Sequence, residues 1–453
     1  MILLLLLLPH LLLGSGQVPS QCQSRSAQGS RRWMSTKTGY TQVAKSLPPA
    51  EEISVPGCEA VHLWTVVRHG TRYPSDKAIK LMTNTLPELR ERIVSAANDG
   101  RSGLCPQDVK LLQDWSVVLE EKQEKRLHEE GGREMVLLGD RWRERLPSLL
   151  ESYDPALYRL RTTRTQRCVA SGDSFLTGLW PSIAGTNILW QPAVEGHDPV
   201  IRFYKLCQAW VKDVKKNSEA NIEKVKFEES ERMAAMLRSL EEVLGVEVSL
   251  KEADLMYLMC NFDLAWDPAS PSPWCRLFTD HQLQLMEYRE DLEYFWIDGP
   301  GFNVTGDQAC VLFSDVINTF QSIATGENKS RGSFFFTHSG ALLKLLAFLK
   351  VFHDEEPLRS DNFDRMTERK WKTSHIGPFG GNVGFVLQKC GDGDRRVGLF
   401  VNEALTRVPG CEDDWCSLDR LAALYPHSHR CDFSDICDKP DEEEILPVPD
   451  DKY

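Results

Sequence analysis

The stretch Arg68-His69-Gly70-Thr71-Arg72-Tyr73-Pro74 holds the residues best suited to do chemistry. Two arginines offer planar donor forks that match phosphate oxygens. Between them stands His69. An imidazole kept neutral by nearby positive charge is a competent nucleophile toward phosphorus. The same guanidinium groups would stabilise charge developing on the phosphoryl oxygens. Gly70 lets the backbone approach closely, and Pro74 stiffens the exit of the loop. By residue usage, the spacing Arg-His-Gly-x-Arg-x-Pro should arise by chance in about one in ten thousand chains of this length. The plain alternative is a basic loop after a strand.

Rigid elements must hold such a loop. Residues 61–67 (VHLWTVV) form a near-continuous apolar run, as in a strand buried on both faces, and run straight into the motif. Open α/β sheets bind ligands at the carboxyl ends of their strands. Residues 333–337 (SFFFT) read as a second buried strand, which leads through His338-Ser339-Gly340 into an apolar helix over 341–352. Further strands are predicted at 383–388 and 397–401. From about 77 to 150 the pattern is helical and charged, with Leu137, Leu138, Trp142, Leu146 and Leu149 at helical spacing. Residues 205–300 read as mostly helical, and Met233, Met236, Leu237, Leu240, Val243 and Leu244 form a stripe assigned to the core. Strands and helices alternate near both ends, with a helical block between them. That order predicts an α/β core with a helical insertion.

The chain has 453 residues, 53 basic and 66 acidic side chains, and a net charge of −13. The 12 Trp and 19 Phe can build a large core, which excludes a disordered chain. Net negative charge argues against a nucleic-acid partner. No apolar run reaches the roughly 18 residues needed to span a bilayer. Residues 1–13 (MILLLLLLPHLLL) precede small and polar residues and read as a secretory leader ending near 16; a hydrophobic arm on a cytosolic protein is the alternative. The 13 cysteines form no C-x-x-C pair and suggest scattered disulfides of an oxidising compartment, with Cys411/Cys416 and Cys431/Cys437 as candidates for small loops. Asn303 and Asn328 begin acceptor sequons, expected on exposed loops. The end of the chain reads as a solvated acidic tail, not as an endoplasmic-reticulum retention signal.

The motif resembles that of the histidine acid phosphatases, the branch of the histidine phosphatase superfamily that includes phytases and multiple inositol polyphosphate phosphatases. Several segments resemble the last group. They are the motif with Lys77 soon after it, Arg167-Cys168 followed by 175–180 (FLTGLW), 260–265 (CNFDLA) followed by 272–275 (SPWC), and Thr36-Lys37-Thr38 with Tyr40. Residues 127–131 (LHEEG) resemble the family's Leu-Thr-x-x-Gly turn, with His128 in place of Thr. The resemblance covers about 36–430. It implies a phosphoglycerate-mutase-like α/β core with a mostly helical inserted domain. It also implies a phosphohistidine intermediate on His69, phosphate binding by Arg68 and Arg72, and no cofactor or metal. The segment Arg161-Thr162-Thr163 to Arg167 to Ser171 resembles the one that carries the third phosphate-binding Arg. That role is assigned to Arg161, with Arg167 structural. His338 resembles the second phosphate-binding His. Inositol polyphosphates, and other monoesters such as bisphosphoglycerate, are the implied substrates, with Lys77, Lys80 and Arg164 as candidate outer cations.

One position departs from the family. A carboxylic acid is expected just after the second His, as His-Asp or as His-Ala-Glu. Here Ser339 and Gly340 stand there. General acid help is worth about 10²- to 10⁴-fold. Glu129 or Glu130, or the substrate's own acidic phosphates, could take over the proton; His353-Asp354 is read as the solvated end of a helix. Two functions stand open: a secreted phosphomonoesterase, or a weakened relative that binds inositol phosphates without turnover. The expected layout is a leader (1–16), an irregular segment (17–55), a catalytic domain (56–430) and an acidic tail (431–453). Within the domain the core takes about 56–90, 155–185 and 325–405, and the insertion about 91–154 and 186–324.

Overall fold

The computed structural model describes residues 33–438 except 48–50, 52, 54, 184–187, 271, 392 and 427–429. The expected leader and the tail beyond 438 lie outside the described residues.

Seven strands form one sheet: β1 (Cys58–Arg68), β2 (Tyr158–Thr162), β3 (Gly332–Thr337), β4 (Asn382–Cys390), β5 (Arg395–Val401), β6 (Ala404–Thr406) and β7 (Trp415–Ser417). Their order is β2-β3-β1-β4-β5-β6, with β7 also paired to β5. Strands β2, β3 and β1 run parallel, β4 runs antiparallel to β1, and β5 is antiparallel to β4. The register pairs Arg68 with Thr337 and Thr162 with Phe336. The three parallel strands therefore end level, and the segments that leave them start side by side.

Both faces of the sheet are covered, which explains the near-continuous apolar strands. Side chains alternate between the two faces with period two. Leu63, Val67, Leu160, Phe334 and Phe336 pack on one face; Trp64, Val66, Phe335 and Phe385 belong to the core cluster of the other. The first face is closed by α2 (Glu129–Arg145) and α3 (Gln166–Leu179), through Met135, Leu138, Trp142, Phe175 and Leu176. These helices approach backbone to backbone. A Cβ on Gly139 would lie 2.1 Å from the Phe175 carbonyl oxygen, and one on Gly178 would lie 1.9 Å from that of Val136. Helix α2 falls within the 91–154 expected as insertion, yet it belongs to the sheet. Its Met135, Leu138 and Trp142 face strand residues, a partner its own periodicity does not name.

The second core continues into the helical half. There it includes α1 (Asp76–Asn98), α4 (Glu231–Leu244), α5 (Leu250–Trp266), α6 (Asp280–Ile297), α7 (Cys310–Ala324) and α8 (Ser339–Leu349). Met233, Met236, Leu240 and Leu244 of the expected stripe are buried in it. No helix among the described residues is long and apolar enough to cross a membrane.

Two segments expected to be loose are built into the body. Residues 35–37 and 40–44 form short helices, and Ser35, Thr36, Lys37, Thr38 and Tyr40 are buried. Ser35 is held by Thr373 (Oγ to Oγ1, 2.8 Å) and by Glu287. At the other end, Cys431 bonds Cys310 and Cys437 bonds Cys207, so 431–437 is stapled to the helical half and the Cys431/Cys437 loop does not exist. The Cys411–Cys416 loop does exist. Cys58–Cys390 joins β1 to β4, Cys260 bonds Cys275, and Cys168 is a buried free thiol. Of the sequons, Asn328 sits half-buried in a turn, its side chain accepting from the Ser330 amide. Asn303 is exposed but opens a short helix rather than a loop.

Candidate active site

The chain ends of the three parallel strands bring distant residues together. His69 comes directly after β1, Thr163 after β2 and His338 after β3. The His69 amide donates to the Thr337 carbonyl (3.0 Å), and the Thr163 amide to that of Phe336 (3.2 Å). The rings of His69 and His338 face each other edge-on, with centroids 5.7 Å apart. Both are buried, as are Arg68, Arg72 and Arg167.

Hydrogen bonds fix the state of each imidazole. His69 Nδ1 lies 2.9 Å from the Gly70 carbonyl oxygen. A carbonyl only accepts, so Nδ1 carries the proton and Nε2 keeps its lone pair. Burial, then the positive field of Arg167 and Arg68, holds His69 well below the usual His range. Arg167 Nη2 donates to His338 Nδ1 at 3.3 Å, which places the His338 proton on Nε2, 3.3 Å from Thr163 Oγ1. His338 too is held well below its usual range, by burial first and then by Arg167, Arg202 and Lys205.

The motif loop is held from several sides. Arg68 donates through Nη1 to the carbonyls of Thr36 (2.6 Å) and Gly377 (2.7 Å). Its guanidinium lies 4.5 Å from the ring centre of Phe379, and that of Arg72 lies 5.9 Å from it. Ser171 of α3 accepts from the Gly70 amide (3.0 Å), and Glu134 of α2 from the Thr71 amide (2.9 Å). Burial raises Glu134 to about 7. Segment 127–131 caps the loop: Leu127 bridges to Arg72, and His128 donates its amide to the Thr71 carbonyl. The contact admits no side chain. A Cβ on Gly131 would lie 2.1 Å from the Thr71 carbonyl oxygen, and one on Gly70 would lie 2.4 Å from that of Gly131.

Arg161 is corrected by this geometry. It points at Asp198, with Nε and Nη2 each 2.9 Å from a carboxylate oxygen. Asp198 also accepts the amides of Val200 and Ile201. Arg161 thus braces the turn that leads to Arg202 and Lys205. Arg167, assigned a structural part from sequence, is the arginine that bonds His338 and whose field falls on His69. It sits one helical turn before Ser171 on α3, so both face the loop. Alternation along β2 turns Arg161 elsewhere.

The other expected cations lie outside this cluster. Lys77 is exposed on the first turn of α1, Arg164 is exposed, and Lys80 binds Asp76 and Glu121. Sequence reasoning missed the buried ones. Lys37 lies within the field of Arg72 and Arg68, and burial lowers it. Arg202 and Lys205 act on His338. Their signal was two cations three apart in the otherwise apolar run 200–206.

As for a proton donor, Glu130 is tied to Thr41 (2.8 Å) and Arg133, and Glu129 is exposed, its field falling on Tyr73 and His128. Asp354 caps the turn at Lys370 and Trp371. Ser339 and Gly340 open α8, whose N-terminus adds partial positive charge to the site. The assembled groups can bind a phosphate dianion and present Nε2 of His69 to its phosphorus.

The chain is similar to known proteins. The family model for the histidine phosphatase superfamily, branch 2, matches residues 61–402. The chain is 30% identical to multiple inositol polyphosphate phosphatase 1 of Drosophila melanogaster over 451 residues, covering 97% of this chain and 90% of the relative. It is 29% identical to the protein of the same name from Gallus gallus, covering 90% and 93%. Its fold resembles the crystal structure of the Bifidobacterium longum multiple inositol polyphosphate phosphatase in complex with inositol hexasulfate. The TM-score is 0.63 at 16% identity, with 88% and 98% of the two chains covered. With the motif at the end of β1 and both histidines in one buried cluster, the chain belongs to the histidine phosphatase superfamily, branch 2.

Proposed function

We propose that the protein hydrolyses phosphate monoesters of inositol polyphosphates through a phosphohistidine on His69. The observation that carries this is His69 itself, neutral, with its lone pair on Nε2, among Arg68, Arg72 and Arg167. The phosphate would sit on these arginines and His338. Nε2 attacks phosphorus, the ester oxygen leaves, and water then cleaves the P–N bond. The substrate class comes from the names of the animal relatives and from the inositol hexasulfate bound by the bacterial one. Lys37, Arg202 and Lys205 supply positive charge beyond the reacting phosphate, with exposed Lys77 as an outer candidate. The disulfides support passage through an oxidising compartment, where Asn303 and Asn328 would be modified.

The test is phosphate release from inositol hexakisphosphate and from an aryl phosphate with a good leaving group, from about pH 4 to 8, around the His titration range. Wild type should release phosphate and His69→Ala should not. Binding of inositol hexakisphosphate without release from either substrate would favour the second reading, a binder without turnover. Ser339 and Gly340 are the observation behind it.

A further inference from the structure

The position two residues after His338 is crowded by a residue distant in the chain. A Cβ built on Gly340 would lie 3.3 Å from Cζ of Tyr204, 3.4 Å from Cε2 and 3.6 Å from Cε1. These are the atoms at the phenolic end of the ring. A carboxylate side chain at 340 would have to grow into that ring. A side chain at 340 is therefore admitted only if the Tyr204 ring gives way by a few tenths of an ångström.

Tyr204 is buried, on a short 3-10 turn over Phe203–Lys205. Two contacts fix where that turn sits. Thr337 Oγ1, at the end of β3, donates to the Ile201 carbonyl (2.5 Å), and Arg161 holds Asp198 at the start of the segment. The ring lies along α8. Lys344, one turn on, has Nζ 5.0 Å from the ring centre, while the phenolic end meets Gly340, two residues from His338. The phenol thus stands beside the N-terminus of α8, the helix that His338 caps. Lys205 Nζ is 6.0 Å from the same ring centre.

We propose that Tyr204 is the proton donor to the leaving oxygen, in place of the missing carboxylic acid. This rests on the hydrolase reading above. As His69 Nε2 forms its bond to phosphorus and the P–O ester bond breaks, the phenol gives its proton to the departing alkoxide. The phenolate left behind is stabilised by the start of α8 and the positive field of Lys205, Lys344 being paired with Asp298. Water then attacks the phosphohistidine, its proton returns to the phenolate, and phosphate leaves with His69 restored. A phenol, with an ordinary pKa near 10, is a strong enough acid for an alkoxide, which is far more basic. An aryl leaving group of low pKa needs no such help.

The experiment compares wild type with Tyr204→Phe, which keeps the ring and its packing. Phosphate release from inositol hexakisphosphate should fall about 10²- to 10⁴-fold. Release from the aryl phosphate should fall a few-fold at most, and inhibition by inorganic phosphate should hold. Equal losses on both substrates would mean a structural role and overturn the assignment. Unchanged release from inositol hexakisphosphate would overturn it and leave the hydrolase reading standing. Wild type active on the aryl phosphate alone would also overturn it, because no acid would then be at work. Wild type active on neither would overturn the hydrolase reading and this assignment together.

Discussion

Arg161 and Arg167 are close neighbours in the chain, and the two do different work. Arg167 lies against His338 and in the field of His69, where a phosphate would accept from it. A hydrogen bond to a charged group contributes about 1.5–3 kcal/mol. Arg167→Ala should weaken inhibition by inorganic phosphate by about 10- to 150-fold, with the fold intact by circular dichroism. Arg161→Ala should leave buried Asp198 without its fork and lower stability by about 1–3 kcal/mol in urea, with a smaller loss of phosphate affinity. The opposite order of phosphate affinities would return the third arginine to position 161.

Helix α2 acts as a floor under the motif loop. Gly131 at its start touches the backbone at Thr71, and Glu134 one turn on holds the Thr71 amide. Trp266, at the end of α5, closes the same side by donating to the Arg72 carbonyl (3.2 Å). A methyl group on Gly131 would push the loop that carries Arg72. Overpacking of this kind costs about 1–3 kcal/mol. Gly131→Ala should lower the free energy of unfolding in urea by that amount and weaken phosphate inhibition in the same protein. A variant with native phosphate affinity would show that α2 does not set the position of Arg72.

Protons bound across the whole fold set its pH response. Burial holds His62, His69 and His338 below their ordinary range, His62 at about 3. Below about pH 6.5 the unfolded chain therefore binds more protons than the native one, and this contribution to stability is lost as pH falls. Glu134 and Asp263 run the other way. Burial raises both to about 7, and Glu287 is raised by burial and by Asp291. The native state keeps protons that the unfolded chain gives up above about pH 4.5, so this contribution is lost as pH rises. The two sets offset each other between about pH 4.5 and 6.5. Thermal unfolding by calorimetry should give a Tm that is level across that window, lower at about pH 3 and lower again by about pH 8. A Tm that climbs steadily through the neutral range would contradict the burial of these carboxyls.

Local signals in the chain named the reacting group and the sheet that carries it. Hydrophobic runs buried on both faces are strong local patterns, so β1, β3, β4 and β5 were legible, and with them the placing of His69 and His338 at strand ends. Motif chemistry pointed to Arg68 and Arg72. Strand β2 was hidden because its alternate positions, Arg159 and Arg161, are charged. Tertiary structure alone decided which arginine of 161 and 167 meets His338 and which meets Asp198, because that depends on the direction of a side chain from a strand or a helix. It alone brought Lys37 to the motif arginines and Arg202 and Lys205 to His338, and tied Cys431 and Cys437 to partners 121 and 230 residues away. It alone set Tyr204 against Gly340 across 136 positions of chain. Periodicity and motif spacing report what a residue does to its neighbours along the backbone. Contacts between segments far apart in sequence are chosen by packing, which no single segment encodes.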